Sequence, residues 1–125
     1  MEVYEYRRML KRCVERLGGM RYGDVAIGLL RHLSALGLST GRLVKYATYL
    51  CVLLKAIDFN PREAGRDDVE RVVAWINSQP YSPWTRHDYK LVLRKLIQYA
   101  KLGRCDGDTP IPPEVSWIKL TVSRS

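Results

Sequence analysis

The sequence predicts an all-α fold, a compact bundle of about five helices with an extended C-terminal linker. Three observations point there. Apolar residues recur three and four apart through most of the chain, and no stretch reads as a convincing strand. Glycines and prolines interrupt that pattern at Gly18-Gly19, Gly37, Pro61, Gly65 and Gly103, leaving segments of helical length between them. The chain has 125 residues, 46% hydrophobic and 27% charged, which suits one globular domain with a modest core.

The first helix is expected over 2–17, where Val3, Tyr6, Leu10, Cys13, Val14 and Leu17 recur at helical spacing. The second runs over 24–36, with Asp24 as N-cap and Gly37 as its stop. Val25, Ala26, Leu29, Leu30, Leu33 and Leu36 make it nearly all apolar, hence well buried. The third begins at Ser39 or Thr40, both good N-caps, and continues to about Ile57. Leu43, Ala47, Leu50, Leu54 and Ile57 form its inner face; Arg42, Lys45, Tyr46 and Tyr49 lie off that stripe.

DFNPREAGR then reads as a loop. The fourth helix takes Asp67 as N-cap and Glu70 as the acid of a capping box, buries Val69, Val72, Val73 and Ile76, and ends near Ser78. The fifth is YSPWTRHDYKLVLRKLIQYAKLG, opened by Thr85 with Asp88 or by Ser82 with Pro83, and closed by Gly103. Tyr89, Leu93, Leu96 and Ala100 mark its inner face. His87, Lys90, Arg94 and Lys101 mark an outer one, with Arg86 and Lys95 beside them. After Gly103, PIPPEV is expected to be extended. Trp75, Trp84 and Trp117 are expected to pack, the last pinning the linker. This divides the chain into an N-terminal helical extension (1–21), a helical domain (22–103) and a linker (104–125).

The net charge is +8, which favours a polyanionic partner, chiefly nucleic acid, with an anionic membrane surface as the lesser option. Residues 84–101 carry a local +4 and residues 39–57 a local +3, so the charge reads as concentrated on two segments. No apolar run is long enough for a membrane span, and the start lacks a signal-peptide core. Cys13, Cys51 and Cys105 are odd in number and far apart, as free thiols of a cytoplasmic protein would be. Asn and Gln total four and Arg outnumbers Lys, a composition that hints at a thermophilic source.

No catalytic constellation is legible. His32 and His87 have no metal-ligand companion at helical spacing, and the glycines form no phosphate-binding signature. Asp67-Asp68 reads as helix capping. The chain is expected to be non-catalytic and to need no cofactor or metal.

Two segments together resemble a known family. GLSTGRLVKYATYLCVLLKAI, followed after a loop and short helix by YSPWTRHDYKLVLRKLIQYAKLG, is similar to the core-binding, SAM-like domain of tyrosine recombinases and phage-type integrases. The likeness is to the archaeal and Xer-type members, and it covers roughly residues 22–120. It is carried by Leu38, Ser39, Arg42, Lys45 and Tyr46, by Asp67-Asp68-Val69, and by Thr85, Asp88-Tyr89-Lys90 and Leu93-Arg94. PPEVSWIKL resembles that family's bridge into a catalytic domain. The resemblance implies a domain that grips DNA at a recombination site while a separate catalytic domain cuts. The DNA-facing residues are then Thr40, Arg42, Lys45 and Tyr46 on the third helix, and Thr85, Arg86, His87, Lys90, Arg94 and Lys95 on the fifth. The implied partners are double-stranded DNA and a catalytic domain of the same parent, with the isolated domain a monomer. Two other readings stay open, a stand-alone helix-turn-helix regulator and a helical protein-interaction adaptor.

Overall fold

The computed structural model describes residues 3–121, and every regular element there is helical. The elements are α1 (Val3–Gly18), α2 (Gly23–Ala35), α3 (Thr40–Ala56), a 3-10 turn (Pro61–Glu63), α4 (Arg66–Ser78), α5 (Pro83–Leu102) and the short α6 (Pro113–Ser116). The all-α expectation is met. The chain divides into two compact units, residues 1–55 and residues 56–125.

In the first unit α1 packs against α2, and Leu17 near its end is fully buried. The Tyr6 ring lies against Gly41 of α3, so close that an added Cβ there would stand 3.4 Å from it. Cys13 faces α3 as well, its sulfur 4.0 Å from the Thr48 hydroxyl. The apolar side of α1 is thus turned inward, which fixes its charged side outward. Val25, Ala26, Leu29, Leu30 and Leu33 of α2 are buried, as their near-continuous apolar run requires.

The α2 ends show what periodicity does and does not reveal. Its C-terminus follows the sequence: Gly37 takes φ 97°, Leu38 N–H donates to Leu33 O and Gly37 N–H to Ser34 O. That pairing satisfies the last carbonyls of the helix, and only glycine adopts such a φ without strain. Its N-terminus does not follow. Tyr22, not Asp24, is the capping residue, held at φ 63° with no side-chain cap. Gly23 explains the displacement. A Cβ on it would fall 1.7 Å from Leu17 O, so α1 and α2 meet backbone to backbone there.

In the second unit α5 packs on the 3-10 turn, α4 and α6, and α6 also packs on α4. Val69, Val72, Val73 and Ile76 of α4 are buried together with Tyr89, Val92, Leu93, Leu96 and Ile97 of α5. The α4 start differs from expectation. Gly65 is its N-cap, and Asp68 Oδ2 accepts the Gly65 N–H at 3.0 Å, while Glu70 pairs with Arg66 instead. Asp67 therefore lies inside the first turn.

That backbone N–H, followed by Arg71, holds the Asp68 carboxyl below the usual aspartate range. A depressed carboxyl stabilises the fold above its unfolded pKa, and the contribution is lost as pH falls through the folded one. Asp68→Ala is expected to cost about 1 kcal/mol at neutral pH, as loss of a helix cap does. In urea denaturation that difference from wild type should shrink as pH falls below the usual aspartate range and through the lowered native value, because the cap then loses its charge. A difference that persists unchanged in acid would remove the cap from this role.

The C-terminal stretch corrects a further expectation. PIPPEV is not extended throughout: Pro112 is, but α6 starts at Pro113 with proline in the first-turn position it tolerates. Cys105, Thr109, Val115 and Ile118 are buried, so residues 105–118 belong to the packed second unit. Gln98 of α5 anchors them. Its buried amide donates to Thr109 O at 3.2 Å and Pro110 O at 3.0 Å. Asp106 orders the turn between, accepting from Asp108 N–H and the Thr109 hydroxyl.

All three cysteines are free thiols. Burial raises the pKa of Cys51 and of Cys105, which keeps both thiols protonated and unreactive. No described helix is long and apolar enough to cross a membrane.

Candidate nucleic-acid interface

On α3 the residues expected to face DNA separate into two groups. Ser39 caps the helix, its hydroxyl accepting the Arg42 N–H at 3.3 Å, and Thr40 starts the first turn half-buried. Arg42 and Lys45 are exposed, with the Lys45 ammonium 6.0 Å from the Tyr49 ring centre. Tyr46 is different. At 6% exposure it belongs to the core, because the apolar stripe of α3 is wide enough to include it beside Leu43, Ala47 and Leu50. It is not available as a surface contact.

On α5 the start is capped by Ser82 with Pro83 in the first turn, one of the two arrangements expected. The Ser82 hydroxyl accepts the Thr85 N–H at 3.2 Å and donates to the Thr85 hydroxyl at 3.1 Å, so Thr85 is engaged in the cap. Arg86 turns back to donate to Gln79 O at 3.1 Å, and its Nε is buried with no acceptor. His87 Nδ1 sits 3.1 Å from Asp88, and the Trp84 ring meets the imidazole edge-on. Trp84 itself is 66% exposed, contrary to the packing expected of it. The four residues Gln79–Ser82 join α4 to α5, a turn length that a helix-turn-helix also uses.

The remaining α5 cations are not on a bare face. Lys90, Arg94 and Lys95 are each half-buried. Arg94 and Lys95 share a hollow with Gln98, Cys105, Asp106 and Thr109, whereas Lys90 shares another with Asn77, Trp117 and Lys119. Lys101 lies 3.8 Å from Glu114 of α6. The C-terminal segment runs beside the face that periodicity marks as free surface, so the two sides of α5 are not cleanly separated.

Charge is distributed differently from the sequence reading. Residues 1–55 hold ten Lys and Arg against four acids, a net +6, and residues 56–125 hold eleven against nine, a net +2. In the second unit many cations are already compensated: Arg66 by Glu70, Arg71 by Asp58 and Asp68, Arg104 by Asp106. On α1, by contrast, Arg7, Arg8, Lys11, Arg12 and Arg16 are all exposed, and Arg7, Lys11 and Arg12 form no ion pair among the described residues. Arg8 lies 5.0 Å from the Tyr4 ring centre, which leaves its charge open. The expected DNA-facing set includes none of these five, since residues 1–21 read as an extension. The signal, two adjacent basic pairs one turn apart, was nonetheless present.

No protein-family model, curated protein or solved structure matches the chain. The reading of the surface therefore rests on its physics. The α1 cations span residues 7–16, about 14 Å of helix at 1.5 Å per residue. Over that length duplex DNA presents about eight phosphates. Among the described residues no group of His, Cys, Asp and Glu could hold a metal ion. The arrangement can attract and orient a polyanion.

Proposed function

We propose that this chain is a non-catalytic domain that binds duplex DNA through its phosphate backbone. The observation that carries the reading is the segregation of charge: +6 of the net +8 lies in residues 1–55, where α1 exposes five cations beside Glu5 and Glu15 and the start of α3 exposes Arg42 and Lys45. A solvated lysine or arginine face alone is ordinary. A face on which exposed cations clearly outnumber the acids among them, five against Glu5 and Glu15 on α1, is the electrostatic footprint of a polyanion partner. An anionic membrane fits less well, since the apolar side of α1 is turned against α2 and α3 and cannot enter lipid. The recombinase resemblance supplies the specific form of the proposal: a core-binding domain that holds a recombination site for a catalytic domain of the same parent.

Fluorescence anisotropy of a labelled 30-base-pair duplex, titrated across a salt series, tests this. Binding of roughly micromolar strength is expected at low salt, with log K falling by about 0.9 per log unit of salt for each phosphate neutralised. Absence of binding at low salt would refute it.

A further inference from the structure

Within the second unit, Val73 and Asn77 of α4, Lys90 of α5, and Trp117, Ile118 and Lys119 after α6 line one open hollow. Its chemistry is lopsided. Two lysines and an asparagine are its polar residues, and among the described residues no acid lines it. The surroundings add more donors. Arg66, paired with Glu70, stacks on Trp117 at 5.1 Å, and Arg86, the neighbour of Lys90 one turn back, keeps a buried Nε with no acceptor. Burial, and secondly Arg86, lower the Lys90 pKa, as expected of a cation set among apolar groups and another cation. On α6, Glu114 lies 3.8 Å from Lys101 through one carboxylate oxygen while the other is buried with no partner, and its main-chain carbonyl takes the Trp117 indole N–H at 2.6 Å.

A mostly apolar hollow whose polar residues are two lysines and an asparagine suits an oxyanion on an apolar body. Val73, Trp117 and Ile118 form the apolar part of the lining. Two ammoniums and an amide can share the oxygens of one phosphate, and the apolar floor fits the body that carries it. We propose that this hollow is a phosphate site, and, resting on the DNA-binding reading, that it takes a backbone phosphate of the duplex. On that account Lys90 acts together with Lys119 and Asn77, two residues that no sequence reading singled out.

The test uses the whole chain, labelled with 15N, titrated with inorganic phosphate against sodium chloride at matched ionic strength. Phosphate should shift the Trp117 indole and Asn77 side-chain resonances saturably in the millimolar range. Lys119→Gln, an exposed change, should weaken that binding roughly tenfold. Equal responses to phosphate and chloride, or shifts confined to other residues, would overturn the site.

A second titration, with a short duplex, separates this inference from the broader one. If the same two resonances move and Lys119→Gln weakens the complex, the phosphate is that of the backbone. Should the duplex bind without moving them while phosphate does, the site stands as one for free phosphate esters and DNA is held elsewhere. If phosphate binds and the duplex does not, the site stands and the DNA reading falls.

Discussion

Replacing Lys11 and Arg12 by glutamate is expected to lower affinity for duplex DNA by about a hundredfold or more at 50 mM salt. Each neutralised phosphate contributes about 0.9 log units of salt dependence, worth roughly fifteenfold at that concentration, and two are lost together. The new carboxylates add repulsion to the lost attraction. The slope of log K against log salt should fall by about 1.8 in the same experiment. Both side chains are exposed and outside any ion pair among the described residues, so the fold should not respond. Glutamate is also a good helix former, and circular dichroism should show α1 intact. Unchanged affinity with intact helicity would move the contact surface away from α1.

The largest effect on stability should come from one methyl group. Gly23→Ala is expected to destabilise the protein by about 3 kcal/mol, at the upper end of what overpacking costs. The added Cβ would stand 1.7 Å from the carbonyl oxygen of Leu17 and 2.7 Å from its carbon. Neither atom belongs to a side chain that could swing aside. The turn on both sides is hydrogen-bonded, Met20 N–H to Leu17 O and Gly23 N–H to Met20 O, each at 3.0 Å. Relief therefore requires α1 and α2 to part where Leu17 is fully buried. Gly18→Ala is the control, since a Cβ there meets nothing within 4 Å and should change stability by less than about 0.5 kcal/mol. Urea denaturation of the two variants decides the matter. A Gly23→Ala midpoint close to wild type would mean that the helix joint gives way easily.

The helices were legible because each stripe of apolar residues ends at a residue that halts a helix. Gly37 and Gly103 sit at positive φ where the periodicity stops, and the five long helices lie within about two residues of their expected ends. Caps were less legible. The α2 start depends on how closely Gly23 approaches Leu17, and that of α4 on an acid reaching back to Gly65. Neither is a property of the capping residue's own type. Surfaces were least legible. The i, i+4 repeat of Lys90 and Arg94 marks a side of α5, but only the long-range return of residues 105–119 determines whether that side meets solvent. Gln98 shows the same limit. It looks like a surface residue on a basic helix, and it is buried because two carbonyls from eleven and twelve residues on need its amide. Tyr46 and Trp84 exchanged roles for a related reason, since an aromatic ring fits either environment and neighbours decide.

If the chain binds DNA as proposed, the uneven charge bears on the approach to the duplex as well as on the complex. In the field of a duplex the pull on residues 1–55 is about three times that on residues 56–125, in the ratio of +6 to +2. On the DNA-binding proposal, diffusional encounters would thereby be biased towards contact through residues 1–55 before any surface touches. Such steering acts on the association rate and fades as the Debye length shortens with added salt. The helix that reads as a mere extension would then set how fast the protein finds DNA.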